Sequence, residues 1–351
     1  MNKIAIYGTG TFGKLFLKSL NNKVDFFIDD YDKKNQLHHI PIIELSIVQK
    51  NTTIYISPLK HSKKIEKELL AKGYTNIINF TDSIKKLPNI LKLISYTNYL
   101  WLVDDKYQII NKHKIKLFKN LLVDTKSKKI LEAILSLRKT LDTTHYINPT
   151  DTEYFPSDVP ILKNLDAINF IDCGAYTGDT IEVLCQQSHQ INSTVSFEPN
   201  LSNLEKLNTT LEKLKLQNPK INFLTYPVGV YKENTILGFT SSGIDSSTSI
   251  DHNSSIGIPV VSLDSTIYNA NPNFIKMDIE GAEIDALIGA EKTIQKYKPN
   301  LAICLYHKPE DLWEIPLLIH KIEPSYDMYI RVHEDMCLST VLYCISKERN
   351  V

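Results

Sequence analysis

The sequence has no excess of either charge: Lys plus Arg and Asp plus Glu number 40 each in 351 residues. Without a global field, nothing steers the chain toward nucleic acid or an acidic membrane surface, and a small-molecule partner is expected. It also has no Cys-x-x-Cys pair. Its five cysteines, Cys173, Cys185, Cys304, Cys337 and Cys344, are scattered, and three fall in apolar strand-like runs. That usage predicts buried thiols in a reducing compartment and argues against a disulfide framework or a zinc site. No apolar run approaches the roughly 20 residues that span a bilayer. No charged-then-apolar leader opens the sequence, so a soluble, cytoplasmic protein is expected. The abundance of Lys, Asn and Ile points to an AT-rich, bacterial genome. No internal repeat stands out, and the length and apolar content suit two cores.

What is present is strand and helix alternation, twice. Residues 1–88 run "KIAIYG", "TFGKLFLKSL", "VDFFIDD", a short segment near "IPIIELSIVQ", "TIYIS", "SKKIEKELLAKG" and "NIINF". Such alternation predicts a parallel sheet with helices on its faces, a small Rossmann-like domain. The charge run "KKIEKELLAK" reads as the solvated face of a helix. Residues 89–150 change character: "LKLISYTNYLWLV", "NKHKIKLFKNLLV" and "SKKILEAILSLRKTL" carry helical apolar spacing and read as a helical connector. It ends in the Pro-, Asp- and Thr-rich "NPTDTEYFPSDVP", expected as an ordered loop. Residues 151–351 return to alternation, predicting a second doubly wound α/β domain. The closing strands "DMYIRVHE" and "STVLYCISK" are separated by too few residues for a crossover and must pair antiparallel.

Two strand–glycine turn–helix units raise the question of which one runs chemistry. In "FIDCGAYTGDT", Asp172 ends a strand, and Gly174 and Gly178 let the backbone approach a ligand closely. Such a turn alone is also an ordinary strand-to-helix connection. Glu198 in "SFEPN" ends the next strand, where an acid bonds a ribose diol in sheets of this topology, and the joint spacing points to an adenosine moiety. Downstream, "FIKMDIEGAEIDAL" places Asp278 and Glu280 at a strand end and Glu283 at a helix start. An acid at a helix N-terminus complements the dipole, so Glu283 is expected to be structural. His307 in "LAICLYHKPEDLWEIP" falls at the end of the following strand, on the same sheet edge as Asp278, with Asp311 close behind.

Those four stretches resemble the FkbM-type methyltransferases, S-adenosylmethionine-dependent enzymes on the class I methyltransferase fold. "KMDIEGAEIDALIGA" and "LAICLYHKPEDLWEIPLLI" resemble the family's signature blocks, and the similarity extends over roughly residues 118–351, including "LLVDTKSKKILEAILSLRKTL" and "TEYFP". The resemblance implies that Asp172, Gly174 and Gly178, with Ala175 beside them, contact the methionine part of the cofactor. It places Glu198 on the ribose, Val228 and Gly229 near the adenine, and Asp278 beside the acceptor or the sulfonium. It implies methyl transfer to a hydroxyl of a sugar, a glycan precursor such as a surface polysaccharide unit, or a natural product. Such transfer needs an acceptor oxygen held in line and a group to take its proton. An imidazole titrates in a suitable range, so His307 is taken as the base, with Glu280 in support. The competing assignments make Asp278 the base, or let Asp278 and Glu280 hold Mg. The polar stretch "GFTSSGIDSSTSIDHNSSIG", with His252, reads as a mobile loop able to close over an acceptor.

The N-terminal "GTGTFG" matches the dinucleotide fingerprint, with Gly8, Gly10 and Gly13 in the turn and Asp29 or Asp30 at the ribose-binding distance. An NAD-dependent oxidoreductase or epimerase centred there stays open, although no Tyr-x-x-x-Lys accompanies it. So do a module binding a nucleotide-linked acceptor and a purely structural role.

Overall fold

The computed structural model describes residues 2–59, 62–97, 111–150, 152–187, 190–241, 248–250, 257–267 and 269–349. The chain folds as two compact units, Met1–Ile109 with Glu132–Pro149 and Ile110–Leu131 with Thr150–Val351.

The first unit holds β1 (Ile4–Tyr7), β2 (Phe26–Ile28), β3 (Gln36–Leu37), β4 (Ile40–Ile43), β5 (Thr53–Ile56) and β6 (Ile77–Ile78), in the order β3-β4-β2-β1-β5-β6. All pairings are parallel except β3 with β4, a short antiparallel edge that the sequence pattern did not signal. Ala5, Phe26, Ile28, Ile54 and Ile56 form its core with Leu69 and Tyr74. Helix Thr11–Ser19 buries Leu15, Phe16 and Leu17, the apolar residues of "TFGKLFLKS". Of the stretch read as a connector, helix Ile90–Ser95 belongs to this unit and helix Lys112–Leu121 to the other.

The second unit holds β7 (Ile168–Cys173), β8 (Ile191–Phe197), β9 (Asn222–Tyr226), β10 (Gly229–Val230), β11 (Thr235–Ser241), β12 (Thr248–Ile250), β13 (Gly257–Val261), β14 (Phe274–Met277), β15 (Asn300–Cys304), β16 (Asp327–Val332) and β17 (Thr340–Ile345). Its main sheet runs β16-β17-β15-β14-β7-β8-β9. Strands β7, β8, β9, β14 and β15 are parallel, while β17 runs antiparallel to both β15 and β16, as the short connection between the last two strands requires. This is the class I methyltransferase arrangement expected from the sequence. The near-continuous apolar strands are buried on both faces, as parallel strands covered by helices must be. Register aligns Met277 with Cys173 and with Ile303, so β7, β14 and β15 deliver the residues that follow them to one edge.

A second, four-stranded sheet has the order β10-β13-β11-β12. It absorbs part of the stretch expected as a mobile loop: the backbone of Phe239 to Ser241 pairs antiparallel with Thr248 to Ile250. Gly238 and Gly257 at its ends pair with each other, while residues 242–247 and 251–256, His252 included, lie outside the described residues. No helix among the described residues is long and apolar enough to cross a membrane.

Candidate active site

The turn after β7 is built by glycine chemistry. Gly174 and Gly178 adopt φ of +81° and +86°, the left-handed region that favours glycine. The tightest neighbours of both positions belong to the protein itself. A Cβ on Gly174 would lie 1.9 Å from the Asp278 carbonyl oxygen, and one on Gly178 would lie 3.0 Å from Leu207 Cδ1. Both glycines thus let the turn pack against its own fold, and Gly174 brings the ends of β7 and β14 together. Glu198, buried after β8, closes the turn from the other side: its carboxylate accepts the Tyr176 and Asn200 backbone N–H groups at 2.9 Å each. Burial pushes this carboxyl up, and the two N–H donors pull it back. Val228 sits half-buried between β9 and β10, next to Gly229.

Asp172 is fully buried, and the residue directly across from it on β14 is Lys276. The Lys276 ammonium lies 3.0 Å from Asp172 Oδ1 and donates to the Gly174 carbonyl at 2.7 Å. Burial raises the Asp172 carboxyl against the pull of Lys276. The same burial works against the Lys276 charge, but Asp172 and Asp278 outweigh it and hold the ammonium above the usual lysine range. Lys276 therefore fastens the glycine turn to the sheet. Sequence reasoning passed over it, although a lysine inside an apolar strand signals a buried counter-charge.

Asp278, Glu280, Glu283 and His307 converge at the ends of β14 and β15. His307 Nδ1 lies 2.9 Å from Glu283 Oε1, and Nε2 lies 3.3 Å from Asp278 Oδ1 and 3.5 Å from Glu280 Oε2, ion-pair contacts that fall short of straight hydrogen bonds. Glu283 is buried and also accepts the N–H of Ile279, in the turn before its helix, at 2.9 Å, so the acid at the helix start fixes that turn and is at the same time the partner that orients the ring. Glu280 reaches the cluster from a left-handed backbone, φ +57°. The expected ordinary imidazole titration does not survive this company. Burial opposes the charge on His307, but Glu283, Asp278 and Glu280 raise its pKa to about 10, so in the free protein the ring carries a proton at neutral pH. Asp278 moves the other way: burial works to raise it, while His307, Lys276 and two phenols hold it below the usual carboxylate range. Those phenols are Tyr154, donating to Oδ2 at 2.8 Å, and Tyr306, donating to Oδ1 at 3.1 Å.

Two more acids border the cluster. Glu153 lies among Asp278, Ser339 and Lys276, and burial lifts it to about 7. Asp311, buried, accepts the Lys308 N–H at 2.9 Å and is likewise lifted to about 7 by burial and by Glu283. Asp278, Glu283 and His307 offer one ligand atom each within 4.8 Å of one another. The set differs from the Asp278 and Glu280 pair considered for Mg, and it does not fit that ion. Magnesium takes an octahedral oxygen shell, whereas one of these atoms is a nitrogen and the Asp278 oxygens already accept two phenols. The edge instead fits an organic cation. The Asp278 side chain keeps 22% of its surface open at this edge, where its carboxylate can meet a bound cation.

In the first unit, Gly8 takes φ of +95°, and a Cβ on Gly13 would meet the Gly8 carbonyl oxygen at 2.2 Å, so both are demanded by the turn itself. Gly10 caps helix Thr11–Ser19 and has open space around it. Asp29 spends its carboxylate within the turn, accepting the Thr9 N–H at 3.1 Å, the Thr9 hydroxyl at 2.8 Å, and the Tyr31 and Asp32 N–H groups at 3.0 Å each. A cavity of about 590 Å³ in this unit, lined by Lys85, Lys92 and Asp142 among others, involves none of these residues.

Residues 172–332 match the family model of the methyltransferase FkbM domain. The fold is similar to the crystal structure of methyltransferase FkbM from Methylobacillus flagellatus KT, with a TM-score of 0.65 and 24% identity over 98% of this chain and 90% of that one. More distant likenesses include an rRNA methylase from Streptococcus thermophilus, with a TM-score of 0.33 and 13% identity over 53% of this chain and 89% of that one. Fibrillarin from Aeropyrum pernix, in complex with natively bound S-adenosyl-L-methionine, aligns with a TM-score of 0.33 and 6% identity over 54% and 70% of the two chains. No curated protein matches the sequence.

Proposed function

We propose, from the premise that residues 172–332 are a methyltransferase FkbM domain, that this chain methylates a hydroxyl oxygen of a sugar, a glycan precursor or another hydroxylated natural product. The match of residues 172–332 to the methyltransferase FkbM domain, together with the fold, supports methyl transfer dependent on S-adenosylmethionine. The oxygen acceptor is the further step. The observation that carries it is the Glu283–His307 pair, whose Nε2 lies 3.3 Å from Asp278 Oδ1 at the edge beside the Gly174 turn. When bound, S-adenosylmethionine supplies an electrophilic methyl group on a cationic sulfur.

The chain's own residues then have distinct tasks. Asp172, through Lys276, and Glu198, through the Tyr176 N–H, fix the turn that receives the cofactor. Asp278, kept anionic by its donors, faces the cationic centre. Glu283 fixes the ring of His307 through Nδ1 and leaves Nε2 to take the acceptor proton, the division of labour of a carboxylate-oriented histidine base. His307 holds a proton in the free protein because three carboxylates surround it. Asp278 and Glu280, if they held the cofactor's positive charge, would share it with His307, which would lower the affinity of Nε2 for its proton and ready it as the base. An acceptor hydroxyl needs such a base because its own proton is bound tightly at neutral pH.

The test is transfer of an isotope-labelled methyl group from S-adenosylmethionine to a panel of free sugars, nucleotide sugars, polysaccharide fragments and amine or thiol analogues. The expected product is a methyl ether on a hydroxylated acceptor, with His307→Ala keeping cofactor affinity and losing turnover. Labelling of amine or thiol acceptors alone would overturn the assignment to oxygen.

A further inference from the structure

Asp278 is the residue on which the proposed site turns, and the structure shows what holds it. Each of its two oxygens accepts one phenol, Tyr306 from the loop after β15 and Tyr154 from the loop that precedes β7. Tyr154 lies outside residues 172–332 and arrives from the segment "TEYFP", whose irregular composition carries no periodicity. Its placement is heavily determined. The side chain is 5% exposed, its N–H donates to the Tyr343 hydroxyl at 3.2 Å, and the Lys276 ammonium stands 5.1 Å from the ring centroid. Its backbone is left-handed, φ +64°, as is that of Thr152 two residues earlier. A bulky residue in that region costs energy and persists only where surrounding contacts hold it. Packing alone would be met by phenylalanine. The hydroxyl adds a donor aimed at Asp278 Oδ2 at 2.8 Å, with a weaker contact to Cys304 Sγ at 3.7 Å, and buried tyrosine hydroxyls are kept where they find such a partner.

We infer that Tyr154 is a positioning residue that fixes the Asp278 carboxylate toward the cationic sulfur of the bound cofactor. This rests on the cofactor reading above. With one donor on each oxygen, the carboxylate can neither rotate nor readily accept a proton from the acceptor. It is left as an oriented negative charge, and the proton is left to His307. An oriented charge distinguishes cofactor from product, because S-adenosylmethionine carries the positive sulfur that S-adenosylhomocysteine has lost.

The discriminating experiment is calorimetric titration of both compounds into the full chain and into Tyr154→Phe, with thermal unfolding of each protein. A hydrogen bond to a charged group is worth about tenfold or more in affinity, so Tyr154→Phe is expected to weaken S-adenosylmethionine about tenfold and S-adenosylhomocysteine by less than about twofold. Tyr306→Phe, acting on the other oxygen, is expected to shift the preference in the same direction. In an Asp278→Asn background the Tyr154→Phe change should leave the preference within about twofold, because the charge it orients is gone. Equal weakening of both compounds, or a Tyr154→Phe effect that survives in the Asp278→Asn background, would show a merely structural residue and overturn the inference alone. Failure of the unaltered chain to bind either compound would overturn the cofactor reading and this inference with it.

Discussion

Replacing Glu283 with Gln is the sharpest perturbation of the proposed base. Glu283 Oε1 lies 2.9 Å from His307 Nδ1 and is buried with it, and of the groups acting on that ring it is the strongest after burial itself. His307 is held at about 10 against an ordinary 6.5. An opposite charge at this distance in a partly dry site moves a pKa by about 1 to 3 units, so Glu283→Gln should bring the His307 midpoint down to about 7 to 9. The assay is nuclear magnetic resonance of imidazole carbon and nitrogen shifts against pH, with His307→Gln identifying the resonance. The stability consequence has a definite sign. A group whose pKa rises on folding stabilises fully below its ordinary value and loses that contribution as pH rises through the folded value. His307 therefore stabilises the unaltered chain below about pH 6.5, and the contribution fades toward about pH 10, whereas Glu283→Gln moves the loss to lower pH. A midpoint near 6.5 in the unaltered chain, or one that Glu283→Gln leaves in place, would refute the electrostatic account.

Lys276→Met should destabilise the chain by about 3–5 kcal/mol, because it leaves the fully buried Asp172 without its counter-charge. Thermal unfolding should show this as a drop on the order of 10 °C that Asp172→Asn in the same chain partly restores, and an unchanged midpoint would contradict it. Gly174→Ala should cost about 2–5 kcal/mol, since its φ is left-handed and the new methyl would sit 1.9 Å from the Asp278 carbonyl oxygen. Gly10→Ala, with open space around it but at a helix N-cap where alanine is disfavoured, should cost only about 0.5–1.5 kcal/mol in the same denaturation assay. Glu153 is lifted to about 7 on folding, so its contribution to stability falls as pH rises from about 4.5 through about 7. Urea unfolding at about pH 5 and about pH 7.5 should show that fall diminished in Glu153→Gln, and an identical pH dependence in both proteins would count against it.

Much of the fold could be read from pattern because it is local. Strand and helix alternation implied both parallel sheets, and the brief gap between β16 and β17 required an antiparallel pair. Parallel strands deliver their carboxyl ends to one edge, which is why Asp278 and His307 could be placed together from sequence spacing alone. What escaped is what depends on register and on distant loops. Lys276 sits directly across from Asp172, a pairing that no spacing rule supplies. Tyr154 reaches Asp278 across 124 positions from a loop without periodicity. The His307 pKa depends on how many carboxylates turn inward, and Glu283, read as a helix-end acid only, holds both the Ile279 N–H and the ring. The glycines were located correctly in the turn, but their tight neighbours are the Asp278 carbonyl and Leu207 of the protein itself.

The measurement that reaches the central claim most directly is calorimetric titration of S-adenosylhomocysteine and of NAD into the full chain, Glu198→Ala and Gly8→Ala. Binding of S-adenosylhomocysteine that Glu198→Ala weakens by about tenfold or more and Gly8→Ala leaves intact is the predicted result, because Glu198 braces the turn proposed to receive the cofactor and Gly8 belongs to the other unit. Binding of NAD alone, lost in Gly8→Ala and kept in Glu198→Ala, would move the active site to the first unit and contradict the account.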